Sequence, residues 1–129
     1  MSHSPIPLDI KLHKLSKTLE LVYSDSEQYE LSCEYLRVYS PSAEVKGHGP
    51  GQEVLQVGKI NTGITKIQAV GNYAVQLFFT DEHDSGIYSW DYLYELCTKQ
   101  ASYWENYLTR LDEAGAVRDP DIQIIKLGD

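Results

Sequence analysis

The pair Gly71-Asn72 stands between two apolar runs, Ile64 to Val70 and Tyr73 to Phe79, and no other feature constrains the fold as tightly. Gly and Asn tolerate the positive φ that a two-residue hairpin turn demands, so these runs must pair as antiparallel strands. A second hairpin follows from Ile10 and Leu12 on one side of Lys14-Leu15-Ser16-Lys17 and Leu19, Leu21 and Tyr23 on the other, because alternation buries one face. After the turn signal Ser24-Asp25-Ser26-Glu27, a third short strand leads into one or two helical turns with Ser32 as N-cap. Ile87-Tyr88 extends a further short strand up to Ser89, an N-cap with Asp91 in the first turn behind it. From Trp90 onward Leu93, Leu96, Cys97, Trp104, Tyr107 and Leu111 recur at three and four residues until Gly115. That spacing predicts one helix of about six turns. Past Pro120, Ile122 and Ile124 alternate, either as an edge strand or as a loose tail. The fold class is therefore α+β, an antiparallel sheet of about five or six strands with one long C-terminal helix.

The 129 residues read as a single domain, 1–129, with no repeat and no linker between two cores. A chain of this length buries roughly two thirds of its unfolded surface, so neither a disulfide nor a metal is required for folding. A net charge of -8 argues against nucleic acid and anionic membrane surfaces as partners. Cys33 and Cys97 are far apart and form no CxxC pair, and the N-terminus has no basic start or apolar run, so the expected location is cytoplasmic. Residues Ser40 to Gly63 carry Gly47, Gly49, Pro50, Gly51 and Gly58 with little apolar periodicity and read as one long loop. Its Gly-His-Gly-Pro-Gly run lacks the Lys-Ser/Thr of a phosphate loop.

Candidate chemistry concentrates between Asp81 and Trp90. Asp81 and His83 lie two residues apart, and on a continuing strand their side chains share a face, a spacing that suits chelation of iron or zinc. Further ligands would have to come from Cys33, His48 or His13, so an acidic solvated turn with a capping histidine is the favoured reading. No Gly-x-Ser-x-Gly elbow and no nucleophilic cysteine signature occurs, so no enzyme is expected. Tyr88, Trp90, Tyr92 and Tyr103 belong to an aromatic-rich region, and Tyr92 and Tyr103 fall off the main apolar stripe of the helix. They are the candidate partner-binding residues.

Four blocks in order, Leu36-Arg37-Val38-Tyr39-Ser40-Pro41-Ser42-Ala43-Glu44-Val45, Gly47 to Gln52, Val70 to Val75, and Asp81 to Trp90, resemble a bacterial family of small proteins. That family is similar to the N-terminal domain of gamma-butyrobetaine dioxygenase, and the likeness spans residues 8 to about 97. In the dioxygenases the domain precedes a catalytic iron and 2-oxoglutarate domain. It carries a zinc site made by Cys-x-Cys-x-x-Cys after a Leu-Arg pair, with a histidine from an Asp-Gly-His motif. Here the three cysteine positions read Ser40, Ser42 and Val45, Glu82 replaces the glycine, and only His83 is retained. The resemblance therefore implies neither the thiolate zinc site nor dioxygenase activity, since these residues hold no counterpart of the catalytic domain. The same domain also occurs joined to P-loop ATPases that carry iron–sulfur clusters. The resemblance implies an accessory role, with a protein partner such as an iron–sulfur carrier ATPase; the alternative is an iron- or zinc-binding protein centred on His83, auxiliary to iron–sulfur cluster carriers or to 2-oxoglutarate dioxygenase-type oxidoreductases.

Overall fold

The computed structural model describes residues 5–125, 127 and 128. Strands β1 (Asp9–His13), β2 (Thr18–Ser24) and β3 (Glu27–Ser32) form an antiparallel meander in that order. The alternation anticipated for β2 holds: Leu19, Leu21 and Tyr23 are buried while Leu19 sits opposite Leu31 of β3. The chain leaves β3 directly into helix α1 (Cys33–Val38), whose N-cap Ser32 accepts the Tyr35 N–H at 3.0 Å. A single turn, α2 (Ala43–Lys46), follows within the stretch expected to be loop, capped by Ser42. Of its four residues Val45 alone is buried.

Strands β4 (Ile64–Val70) and β5 (Ala74–Phe79) make the hairpin demanded by Gly71, and β6 (Gly86–Ser89) completes a second antiparallel sheet in the order β4-β5-β6. Val70 pairs with Ala74, so the turn holds three residues rather than two, and only Gly71 takes positive φ, at +53°. The six strands thus form two three-stranded sheets instead of one. β3 passes into α1, and α2 and the long segment behind it intervene before β4, so β3 and β4 never pair. One core joins both sheets: Leu19, Leu21 and Leu31 from the first meet Leu77, Phe79 and Tyr88 from the second, with Leu36, Leu93 and Leu96 between them.

The single long helix is also corrected. Helix α3 (Trp90–Thr98), N-capped by Ser89, and helix α4 (Gln100–Ala114) are separated at Lys99, whose backbone lies at φ -110°, ψ 19°. No Pro or Gly causes this break. The Thr98 hydroxyl donates back to the carbonyls of Tyr94 and Glu95, at 3.2 and 3.4 Å, a local bond that bends helices. After the break α4 lays Tyr107 and Leu111 on Val38 in a smaller apolar cluster. Gly115 ends α4 in the left-handed region, φ +66°, as anticipated. Beyond it Arg118 donates two hydrogen bonds, 2.8 and 2.7 Å, to the buried carboxylate of Glu34 and so ties the tail to α1. Residues 121–125 form no strand, and Ile122, Ile124 and Ile125 are exposed. Among the described residues no helix is long and apolar enough to cross a membrane.

Candidate functional site: a tyrosine-walled cleft and the histidine corner behind it

Two chain corners meet at His83. One is the α1–α2 connection, Tyr39 to Ser42; the other is the loop from β5 to β6. His83 is buried, with Nε2 2.8 Å from Ser40 Oγ and Nδ1 3.3 Å from Glu44 Oε2. Burial first, and the nearby Arg37 guanidinium second, hold its pKa below the ordinary value against the pull of Glu44 and Asp81. The neutral ring therefore carries its proton on Nδ1, donated to Glu44, and accepts the Ser40 O–H at Nε2. Ser40 Oγ in turn accepts the Ser42 N–H at 3.2 Å, and Ser42 Oγ bonds Ser85 Oγ at 2.8 Å. The order serine, histidine, carboxylate is that of an acyl-transfer relay. Here Ser40 is 0% exposed and its oxygen is engaged from two sides, so the arrangement clamps two loops and offers no nucleophile to a substrate.

Asp81 goes elsewhere. Its Oδ2 accepts from Arg37 Nε at 2.8 Å and Lys59 Nζ at 2.6 Å, while Oδ1 accepts the His83 N–H at 3.3 Å. Burial alone would raise this carboxyl, but the bonds and charges of Lys59 and Arg37 outweigh it and hold the carboxyl below its usual range. The structure thus brings Asp81 and His83 into one loop but aims them at different partners, not at a common point. Glu82, between them, sits at φ +69°, the left-handed conformation that suits the glycine of the resembling motif.

Of the four positions of the resembling zinc site, Ser40 and His83 touch, the Ser42 N–H donates to Ser40 Oγ, and the Val45 N–H donates to the Ser42 carbonyl. Their donors do not fit zinc: two hydroxyls replace thiolates, Val45 is a buried apolar side chain, and both ring nitrogens of His83 are engaged. His13 pairs with Glu20 on the first sheet, and Cys33 and Cys97 are buried thiols. Among the described residues no three His, Cys, Asp or Glu side chains cluster closely enough to hold an ion.

In front of this corner opens a cleft of about 570 Å³ between α2 with its following loop and the α3–α4 pair. Tyr92 and Tyr103 line it, together with Tyr39. Tyr39 stacks on Tyr103 with centroids 5.3 Å apart and donates to the Tyr103 carbonyl at 2.7 Å. Tyr92 donates to the Tyr39 carbonyl at 2.6 Å, and the Tyr103 hydroxyl donates to Glu95. The Glu95 bond pushes the Tyr103 hydroxyl up to about 12, so the Tyr103 ring is neutral. Opposite them Lys46 Nζ lies 4.6 Å above the Tyr92 ring. The other two aromatic candidates lie outside the cleft. Tyr88 is fully buried, donating to the Leu36 carbonyl, and Trp90 is half-buried and donates from Nε1 to Asn72 O at 2.9 Å. Sequence reasoning missed Tyr39, Lys46, Asn106 and Arg110. For the last two a signal existed, because Tyr103, Asn106 and Arg110 recur at one-turn and two-turn spacing along α4.

The sequence pattern described as gamma-butyrobetaine hydroxylase-like, N-terminal, matches residues 10–94. The chain is similar to two proteins known from NMR solution structures. One is 51% identical over 97% of this chain and 98% of its own, with a TM-score of 0.82; the other is 49% identical over 99% and 96%, with a TM-score of 0.77. It is also similar to a crystal structure from Acidithiobacillus ferrooxidans, a protein of unknown function in the DUF971 family. That likeness is 34% in identity over 70% of this chain and 90% of the other, with a TM-score of 0.58. Comparison with curated proteins gives no match.

Proposed function

The chain belongs to the gamma-butyrobetaine hydroxylase-like N-terminal family, and from that premise we propose that it is a non-catalytic binding module for a protein partner. The observation that carries this reading is the convergence of Tyr39, Tyr92 and Tyr103 on one cleft. Rigid, amphipathic rings with satisfied hydroxyls provide contact area with little side-chain entropy left to lose on binding. The polar constellation behind the cleft supports a structural part, because Ser40 is enclosed and Asp81 is neutralised by Arg37 and Lys59. An iron–sulfur carrier ATPase is the first partner class to test, since domains of the resembling kind occur joined to such carriers.

A photo-crosslinking amino acid at position 106, on the cleft wall, tests the reading against the same group at Lys11 on β1. The module predicts a discrete adduct from position 106 alone. The captured protein, once purified, should bind wild type one-to-one and Tyr103→Ala at least about tenfold more weakly. Equal adducts from both positions, or a partner indifferent to Tyr103, would remove the cleft from the account.

A further inference from the structure

The chemistry of the cleft is more specific than its volume. We infer that the cleft receives the C-terminal carboxylate of a partner chain whose last residue is apolar, held by Arg110 and Asn106 on α4 with Lys46 facing them across the opening. The inference rests on the binding-module reading above and adds the group that is bound.

The placement of charge and the character of the lining carry it. Lys46 and Arg110 line the same cleft, and neither forms an ion pair among the described residues. The exposed Lys46 ammonium lies 4.6 Å from the centre of the Tyr92 ring, a contact that leaves its charge available at the opening. Of the two carboxylates on the lining, Glu95 already accepts the Tyr103 hydroxyl, and Glu53 is exposed on the loop side. Asn106 and Arg110 stand one turn apart on α4, so an amide and a guanidinium can grip the two oxygens of one carboxylate.

Most of the rest of the lining is apolar or aromatic, with Ser40 and His48 as its remaining polar side chains. Val38 and Val45 are buried at the base, and the rings of Tyr39, Tyr92 and Tyr103 form the wall. A ligand satisfying both halves needs a carboxylate directly beside an apolar body. A chain-terminal apolar residue carries both on one Cα. An internal acidic residue carries only a short methylene stem and would leave the rings to a neighbouring side chain. The cleft volume lies within the range of sites that enclose a small ligand or a few residues of a peptide.

The test is an amide chemical-shift titration of the isotope-labelled full chain with three probes. N-acetyl-L-phenylalanine has the free carboxylate, N-acetyl-L-phenylalanine amide is its neutral counterpart, and N-acetyl-L-glutamic acid α-amide offers a side-chain carboxylate only. The free acid should give saturable shifts at residues 45–50 and 103–110, and the amide should bind at least about tenfold more weakly. Arg110→Gln should abolish the preference for the acid over the amide while its spectrum elsewhere overlays the wild type. Equal binding of acid and amide would overturn the inference while leaving a tyrosine-walled site standing. Tighter binding of the glutamate probe would assign the carboxylate to an internal acidic residue and overturn the terminal source. If no probe shifts the cleft, the inference falls, and the crosslinking result decides separately whether the module reading falls with it.

Discussion

Replacing His83 by alanine removes the pin between two loops, and the structure sets its size. The change deletes a buried imidazole packed near Phe79, with ring centroids 5.9 Å apart, and strands the Ser40 hydroxyl where no water reaches it. A buried hydroxyl left without its acceptor costs about 1–3 kcal/mol. The bond to Glu44 adds little, because the Glu44 side chain is 72% exposed and water replaces the imidazole there. With a small term for the cavity, His83→Ala should destabilise by about 2–4 kcal/mol at pH 7.5. The pH dependence is a second signature. Because the folded pKa of His83 is depressed, the unfolded chain binds the proton more tightly. The stability from neutral His83 is complete above the ordinary 6.5 and is lost as pH falls through the folded value. Urea unfolding monitored by tryptophan fluorescence at pH 7.5 and pH 5.5 measures both effects. Wild type should lose stability between the two pH values, and His83→Ala should lose distinctly less. A variant within about 0.5 kcal/mol of wild type, or one with the full wild-type pH dependence, would refute the clamp.

Three further outcomes follow from single residues. Glu82→Gly should stabilise by about 0.5–1 kcal/mol in the same assay, since relief of the left-handed strain exceeds the added chain entropy; a loss of stability would contradict the φ of +69°. Trp90→Ala should cost about 1–2 kcal/mol, the value for a half-buried ring with one exposed hydrogen bond, and a loss above about 4 kcal/mol would place that ring in the core. Chelator should leave the thermal midpoint unchanged, because the core is apolar, the Ser40 and Ser42 hydroxyls and the His83 ring do not suit zinc, and Val45 offers no donor; a drop reversed by zinc would contradict this.

Most of the local structure was legible because it depends on near neighbours. Ser32 and Ser89 cap the helices expected of them, Gly71 turns its hairpin, and Gly115 stops α4. What escaped depends on partners distant in sequence, or on a local bond that the apolar spacing does not register. The α3–α4 break leaves the apolar spacing intact and is visible only through the hydroxyl of Thr98 and the backbone of Lys99. The division into two sheets lies in the missing pairing of β3 with β4, which no alternation pattern encodes. At the site, Asp81 and His83 have chelate spacing, but Arg37 and Lys59 claim the carboxylate, and their separations of 44 and 22 residues hide them from a local reading. Tyr88 and Trp90 share an aromatic run with Tyr92, yet β6 buries the first and the turn at Asn72 takes the second, so only Tyr92 and Tyr103 reach the cleft.

The central claim is that the partner docks in the cleft formed by the α2 loop and the α3–α4 pair. An amide chemical-shift map of the labelled chain with the purified crosslinked partner tests it most directly. The account predicts that the perturbed residues concentrate in 39–54, 92–95 and 103–110, with β1 and β4 unmoved. A map centred instead on the exposed Tyr73 and Ile87, with Lys46, Tyr103 and Arg110 unperturbed, would contradict it.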